Sequence, residues 1–235
     1  MRKKPLHKKS PAVESGEAGS KGERTRSLIL ETALEMFGER GYEETTMRAI
    51  AEEAGVALGN TYYHFRSKEH LIQAYYERMH EIHMESCAEL LNKERTLKGR
   101  LLGVMRQILE DMAPYHQFAG VLFKTAADPQ SPLHPFSSES ESTRRANIEL
   151  FAEVVKGAKA RIPSDLAVEL PSLLWLYHMG IVLFWIHDDS NGQNRTRRLM
   201  EHTVDIVVRL IQLASLPPMR PLRKSVLKML ADLRE

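Results

Sequence analysis

Residues 45–68 read TTMRAIAEEAGVALGNTYYHFRSK, and the break near the middle of that run decides the fold. Thr45-Thr46 can cap a short helix that turns Met47, Ile50 and Ala51 inward and runs to Ala54. Gly55 ends it, as expected where the chain must adopt a positive φ. A second short helix fits residues 58–65, and Ser67 caps a long one that begins Lys68-Glu69. Two short helices separated by Gly55-Val56-Ala57 make a helix-turn-helix over residues 46–65, whose second helix can enter the DNA major groove. Its outward face presents Asn60, Thr61, Tyr63 and His64, while Val56 and Phe65 point to the core. Asn reads adenine edges, and Thr contacts either edge or a thymine methyl. Tyr, His and Lys hold phosphates and fix register. The helix starts at Thr46 and Lys68 add free backbone N–H groups for the same purpose.

The same helical period runs outward in both directions. Ile29, Ala33, Met36 and Phe37 stripe one face of residues 24–39, and Gly41-Tyr42 breaks that helix. Downstream the helices lengthen. Leu71, Tyr75, Met79, Ile82 and Leu90 stripe the first, and others fit residues 97–113, 115–127, 139–161, 195–216 and 222–233. Pro171 should kink, or set the start of, a further apolar helix. Residues 128–135 form a Pro-rich loop. Sustained period-2 alternation is absent, so the expected fold is all-α. A three-helix DNA-binding domain over residues 23–83 precedes a larger helical domain over residues 84–235.

The run Gly55-Val56-Ala57-Leu58-Gly59-Asn60-Thr61-Tyr62-Tyr63-His64-Phe65-Arg66-Ser67-Lys68-Glu69-His70-Leu71 resembles the DNA-binding signature of the TetR family nearly residue for residue. Phe37, Gly38, Gly41-Tyr42, Thr45-Thr46 and Ile50-Ala51 also fall where that family has them, so the resemblance covers residues 23–83. It implies a dimeric transcriptional repressor, bound to double-stranded operator DNA and released by a small-molecule inducer. It also implies phosphate or base contacts from Thr46, Gly59, Asn60, Tyr62, Tyr63, His64 and Lys68. Packing is the other reading of Tyr62. Ala57 departs from the Ser or Thr that usually caps the recognition helix, which bears on one phosphate contact. Leu58 replaces a frequent polar or basic residue and suits a thymine methyl.

Composition limits the alternatives. With 33 basic and 31 acidic residues the net charge is only +2, yet Arg2, Lys3, Lys4, Lys8 and Lys9 crowd the start. Residues 1–22 read as a flexible basic tail, able to lie along phosphates and lacking the apolar run of a signal peptide. One cysteine, Cys87, excludes an internal disulfide and any Cys-rich zinc site, and a reducing cytoplasm is the simplest home. Residues 170–186 carry no charge, but Pro171, Ser172, His178 and Gly180 suit a buried helix better than a membrane span. No nucleophile elbow, phosphate-binding glycine loop or metal framework appears, so no enzyme and no cofactor is expected.

The C-terminal half carries weaker signals. Met200, Val204, Val207, Ile211 and Ala214 step at the spacing of a packed seam, with Leu199, Ile206, Leu210 and Leu213 beside it. Pairing this helix with Ile181, Phe184 and their symmetry mates would build a homodimer interface; burial within one subunit is the alternative. An inducer pocket, for a largely apolar or aromatic molecule, is expected among Met105, Met112, Tyr115, Phe118, Leu122, Phe151, Trp175 and His178. His178 could equally be a satisfied core histidine. His80 and His83 have metal-ligand spacing, but paired surface histidines are common and no third ligand is placed. Two other functions fit: a DNA-binding regulator without a small ligand, and a helical binding protein that does not act on DNA.

Overall fold

The computed structural model describes residues 20–232, and every regular element among them is helical. Ten α-helices follow one another: α1 (Lys21–Arg40), α2 (Met47–Glu53), α3 (Leu58–His64), α4 (Lys68–Lys93), α5 (Leu97–Met112), α6 (His116–Ala126), α7 (Glu141–Lys156), α8 (Ser164–Ile186), α9 (Asn194–Ala214) and α10 (Arg220–Asp232). The expected basic tail lies outside the described residues up to position 19.

Side chains start most of the early helices. Ser20 and Glu23 form a reciprocal capping box on α1, Thr46 accepts from the Ala49 N–H at 3.1 Å, and Ser67 accepts from His70. Gly55 has φ +66°, the left-handed conformation expected of it, and lets the chain turn from α2 toward α3.

Two apolar cores result. The first joins Ile29, Leu30, Leu34 and Phe37 of α1 with Met47 and Ile50 of α2, Phe65, and Leu71, Ile72 and Tyr75 of α4. Phe118, Leu122 and Ala126 of α6 and Leu133 of the following loop also belong to it, so an expected boundary at residue 83 does not separate the cores. The rings of Phe118 and Phe37 stack at 6.0 Å, and Tyr75 meets Phe118 edge-on at 5.0 Å. The second core takes Leu101, Val104 and Ile108 of α5, Leu150 and Val154 of α7, Leu170, Leu174 and Trp185 of α8, and Met200 and Val204 of α9. Thus α8, whose length and composition alone would suit a membrane span, spends one side on this core. Pro171 lies inside α8, which starts earlier, at Ser164.

One side chain that the sequence reading passed over organises the second core. Arg100 is buried and donates to Leu91 O at 2.5 Å, Glu94 O at 2.9 Å, Glu153 O at 2.6 Å and Val154 O at 2.9 Å. It satisfies carbonyls at the ends of both α4 and α7. Gly157 completes this arrangement, because a Cβ there would stand 2.2 Å from the guanidinium. α7 ends at Lys156 and not near residue 161 as its pattern suggested, with Val154 O, the acceptor a continuing helix would give residue 158, taken by Arg100.

Candidate nucleic-acid interface

The recognition helix α3 is seven residues long and is held from behind. Thr61 is fully buried, its hydroxyl 3.5 Å from Ala57 O, and Phe65 is buried one turn later. Thr61 is therefore corrected from the outward to the inward face: it stands four residues before Phe65 and shares its side of the helix. Gly59, Asn60, Tyr62 and Tyr63 remain exposed, Tyr63 at 83% and Tyr62 at 48%. Leu58 and His64 are half-buried, and the His64 ring meets Tyr63 edge-on at 5.1 Å. Tyr62 and Tyr63 therefore stand in solvent beside Asn60, opposite the buried side of α3. Ala57 provides no side-chain cap, which leaves the first N–H groups of α3 free of one.

The surrounding scaffold aims this helix. Thr45 is buried and donates to Gly41 O at 2.8 Å, while Thr46 stays exposed at the start of α2. Lys68 is half-buried; its Nζ donates to Tyr42 O at 2.6 Å and sits 4.3 Å above the Tyr42 ring. Tyr42 in turn donates to Glu69 at 2.9 Å. Lys68 thus fastens α4 to the turn before α2, and any phosphate contact would use its remaining N–H groups. Arg26, one of the basic residues near the start of the first helix, lies 5.0 Å over the Phe65 ring, and two exposed basic side chains, Arg48 and Arg66, were not singled out from the sequence.

The eight residues expected to line one pocket do not come together. Phe118 and Leu122 are buried in the first core, Tyr115 lies at its margin, and Met112 packs against both cores. There the Tyr115 hydroxyl accepts from Arg78 at 2.8 Å, and its ring meets Tyr75 at 5.3 Å. Met105, Phe151 and Trp175 are buried in the second core, with the His178 ring 5.5 Å from that of Phe151. All eight lie on the segments expected to bound the pocket, but α6 packs on α1 of the DNA-binding domain. Of the histidine pair, His83 is buried with Nδ1 2.9 Å from Asp111 Oδ2, and burial lowers its pKa.

The expected dimer seam is also corrected. Met200, Val204 and Ile211 are buried within the subunit, as is Ile181, while Val207 and Ala214 are half-buried. The stripe beside it is the one left outside: Ile206, Leu210 and Leu213 of α9 are exposed, together with Leu176, Leu183 and Phe184 of α8. The strongest stripe on an amphipathic helix packs on its own subunit first.

A short helix presented on a packed three-helix head, with a larger helical body behind, defines a helix-turn-helix regulator. Comparison with known proteins gives the family. The description "Bacterial regulatory proteins, tetR family" matches residues 29–75, and "Tetracyclin repressor-like, C-terminal domain" matches residues 100–229. This chain belongs to the TetR family. Over 87 residues it is 39% identical to the HTH-type transcriptional regulator TtgR of Pseudomonas putida, covering 37% of this chain and 40% of that one. It is 26% identical over 148 residues to the HTH-type transcriptional repressor KstR2 of Mycolicibacterium smegmatis, covering 62% and 71%. The chain thus spans well under two thirds of the first of these relatives. A crystal structure of the regulator FadR from Bacillus subtilis, in complex with stearoyl-CoA, shares the fold with TM-score 0.58 and 20% identity, covering 74% of this chain and 96% of that one.

Proposed function

We propose that this protein is a cytoplasmic, homodimeric transcriptional repressor that binds double-stranded operator DNA through α3 and is released by a small, largely apolar or aromatic inducer. The observation that carries the reading is the exposed Tyr63 beside Gly59 and Asn60, on a helix whose opposite face, Thr61 and Phe65, is buried. Asn60 and Leu58 are the base readers, for an adenine edge and a thymine methyl. Thr46, Tyr62, Tyr63, His64 and Lys68 hold phosphates, joined by Arg48 and Arg66. Dimerisation uses Leu183 and Phe184 with Ile206, Leu210 and Leu213, the apolar side chains that α8 and α9 leave exposed.

The inducer site lies in the second core. Two helices carry its signal: α4, which runs from Lys68 beside the reader to the Arg100 clamp, and α6, whose Phe118 backbone lies against Gly38 of α1. A tilt of α4 or a shift of α6 would change the separation of the two α3 helices without touching them. By reciprocity, operator DNA weakens inducer binding by the same factor. Selection of bound duplexes from a random pool tests the reading. It should return a near-palindrome whose half-sites lie on one face of the DNA, bound by two protomers. Recovery of no preferred sequence, or of a single asymmetric half-site bound by a monomer, contradicts it.

A further inference from the structure

The second core holds more polar chemistry than its packing needs. Gln107 donates to Asp111 Oδ1 at 2.9 Å, and Asp111 Oδ2 meets His83 Nδ1 at 2.9 Å. His178 of α8 lies within electrostatic reach of His83 and against Phe151. Its Nδ1 is buried without a hydrogen-bond partner, as is Nδ1 of His80, one turn before His83 on α4. A buried polar atom left unpaired costs about 1–3 kcal/mol, and a leucine at position 178 would avoid that cost. An orphaned group of this kind calls for an explanation, and a ligand that completes it is one.

We propose that the molecule bound between α4, α5 and α8 is uncharged and carries a hydroxyl on an apolar or aromatic body, and that the hydroxyl bonds His178 Nδ1. The inference rests on the ligand-responsive reading and names the chemistry of its site. A hydroxyl both donates and accepts, so it satisfies either tautomer of a neutral imidazole. Burial holds His178 neutral, with its pKa pushed down to about 3, and burial lowers that of His83 as well. Neither ring therefore offers a cation to an anionic head group, and the Asp111 carboxylate beside His83 disfavours one. Phe151, Met105 and Trp175, packed in the second core around this point, are the apolar side chains that would surround the body of the ligand.

The test uses three matched probes on the full chain: 4-ethylphenol, 4-ethyltoluene and 4-ethylbenzoate, titrated by calorimetry. The wild type should bind the phenol roughly tenfold more tightly than the toluene, a difference of about 1.4 kcal/mol, and the benzoate most weakly. His178→Leu should bring phenol and toluene to equal affinity, whereas His178→Gln, which keeps a hydrogen-bonding group, should retain the preference. Equal affinities in the wild type, a preference that survives His178→Leu, or tight benzoate binding would overturn this inference and leave the ligand reading standing. Failure of all three probes to bind at millimolar concentration overturns it together with an apolar ligand site in this core.

Discussion

The head and the body of this molecule spend their polar residues in opposite ways. In the head, α1 to α3 with the start of α4, the polar side chains buried with the apolar core are uncharged threonines, Thr32, Thr45 and Thr61, and the side chains that would meet DNA, such as Asn60 and Tyr63, stand on the surface. In the body, the later part of α4 with α5 and α7 to α9, charged or titratable groups are inside: Arg100, His83, His178 and Asp188 are all buried. The head must offer a fixed surface to a rigid partner, so its interior serves only to hold that surface. Under the proposed function the body changes its equilibrium when a ligand binds within it, and buried polar groups would give a ligand the means to do so.

The largest effect that would break this contrast is expected at Arg100. Arg100→Met leaves carbonyls at the ends of α4 and α7 without their charged donor, and should destabilise the fold by about 3–5 kcal/mol. Urea denaturation measures it. A change below about 1 kcal/mol would mean that the clamp contributes little. An exposed head variant, Tyr63→Ala, should leave the same urea midpoint unchanged.

The next effect concerns association. Leu210→Lys together with Leu213→Lys should leave the fold intact but shift sedimentation from dimer to monomer, weakening operator binding by tenfold or more, about 1.4 kcal/mol. Met200→Lys, on the stripe buried within the subunit, should instead prevent folding. If Leu210→Lys with Leu213→Lys still sediments as a dimer, the exposed stripe is not the interface.

The smallest effect is on pH dependence. The folded-state pKa of His178, about 3, lies below its unfolded value of about 6.5. Between those values the unfolded chain binds more protons, so stability falls as pH drops below about 6.5. His83, lowered by the same burial, adds to the slope, and Asp188, held far down by bonds from Ser190 and Thr196, adds at lower pH. His178→Leu should flatten the decline between pH 6.5 and 4 without abolishing it. An unchanged slope in thermal melts would mean that this ring is solvated.

What the sequence disclosed follows from the same contrast. The head was legible because each boundary has a local cause: a capping Ser or Thr, a left-handed Gly55, a short apolar period. Thr61 was misplaced because a seven-residue helix gives too few apolar positions to fix its phase, and only its register with Phe65 reveals it. In the body, helix existence was legible and partners were not. The seam on α9 satisfies the spacing of an interface and of a subunit core equally well, and only packing decides between them. Arg100 carries no local signal at all, since its four acceptors lie at residues 91, 94, 153 and 154. The spread of Phe118 and Trp175 into different cores has the same origin: both face inward, but toward different neighbours.

The central claim is that α3 reads operator DNA through its exposed side chains. Fluorescence anisotropy of a selected duplex at fixed salt, comparing wild type with Tyr63→Ala, tests it most directly. The account predicts a loss of about 1–3 kcal/mol in binding, with an unchanged melting temperature. Equal dissociation constants for the two proteins would contradict it.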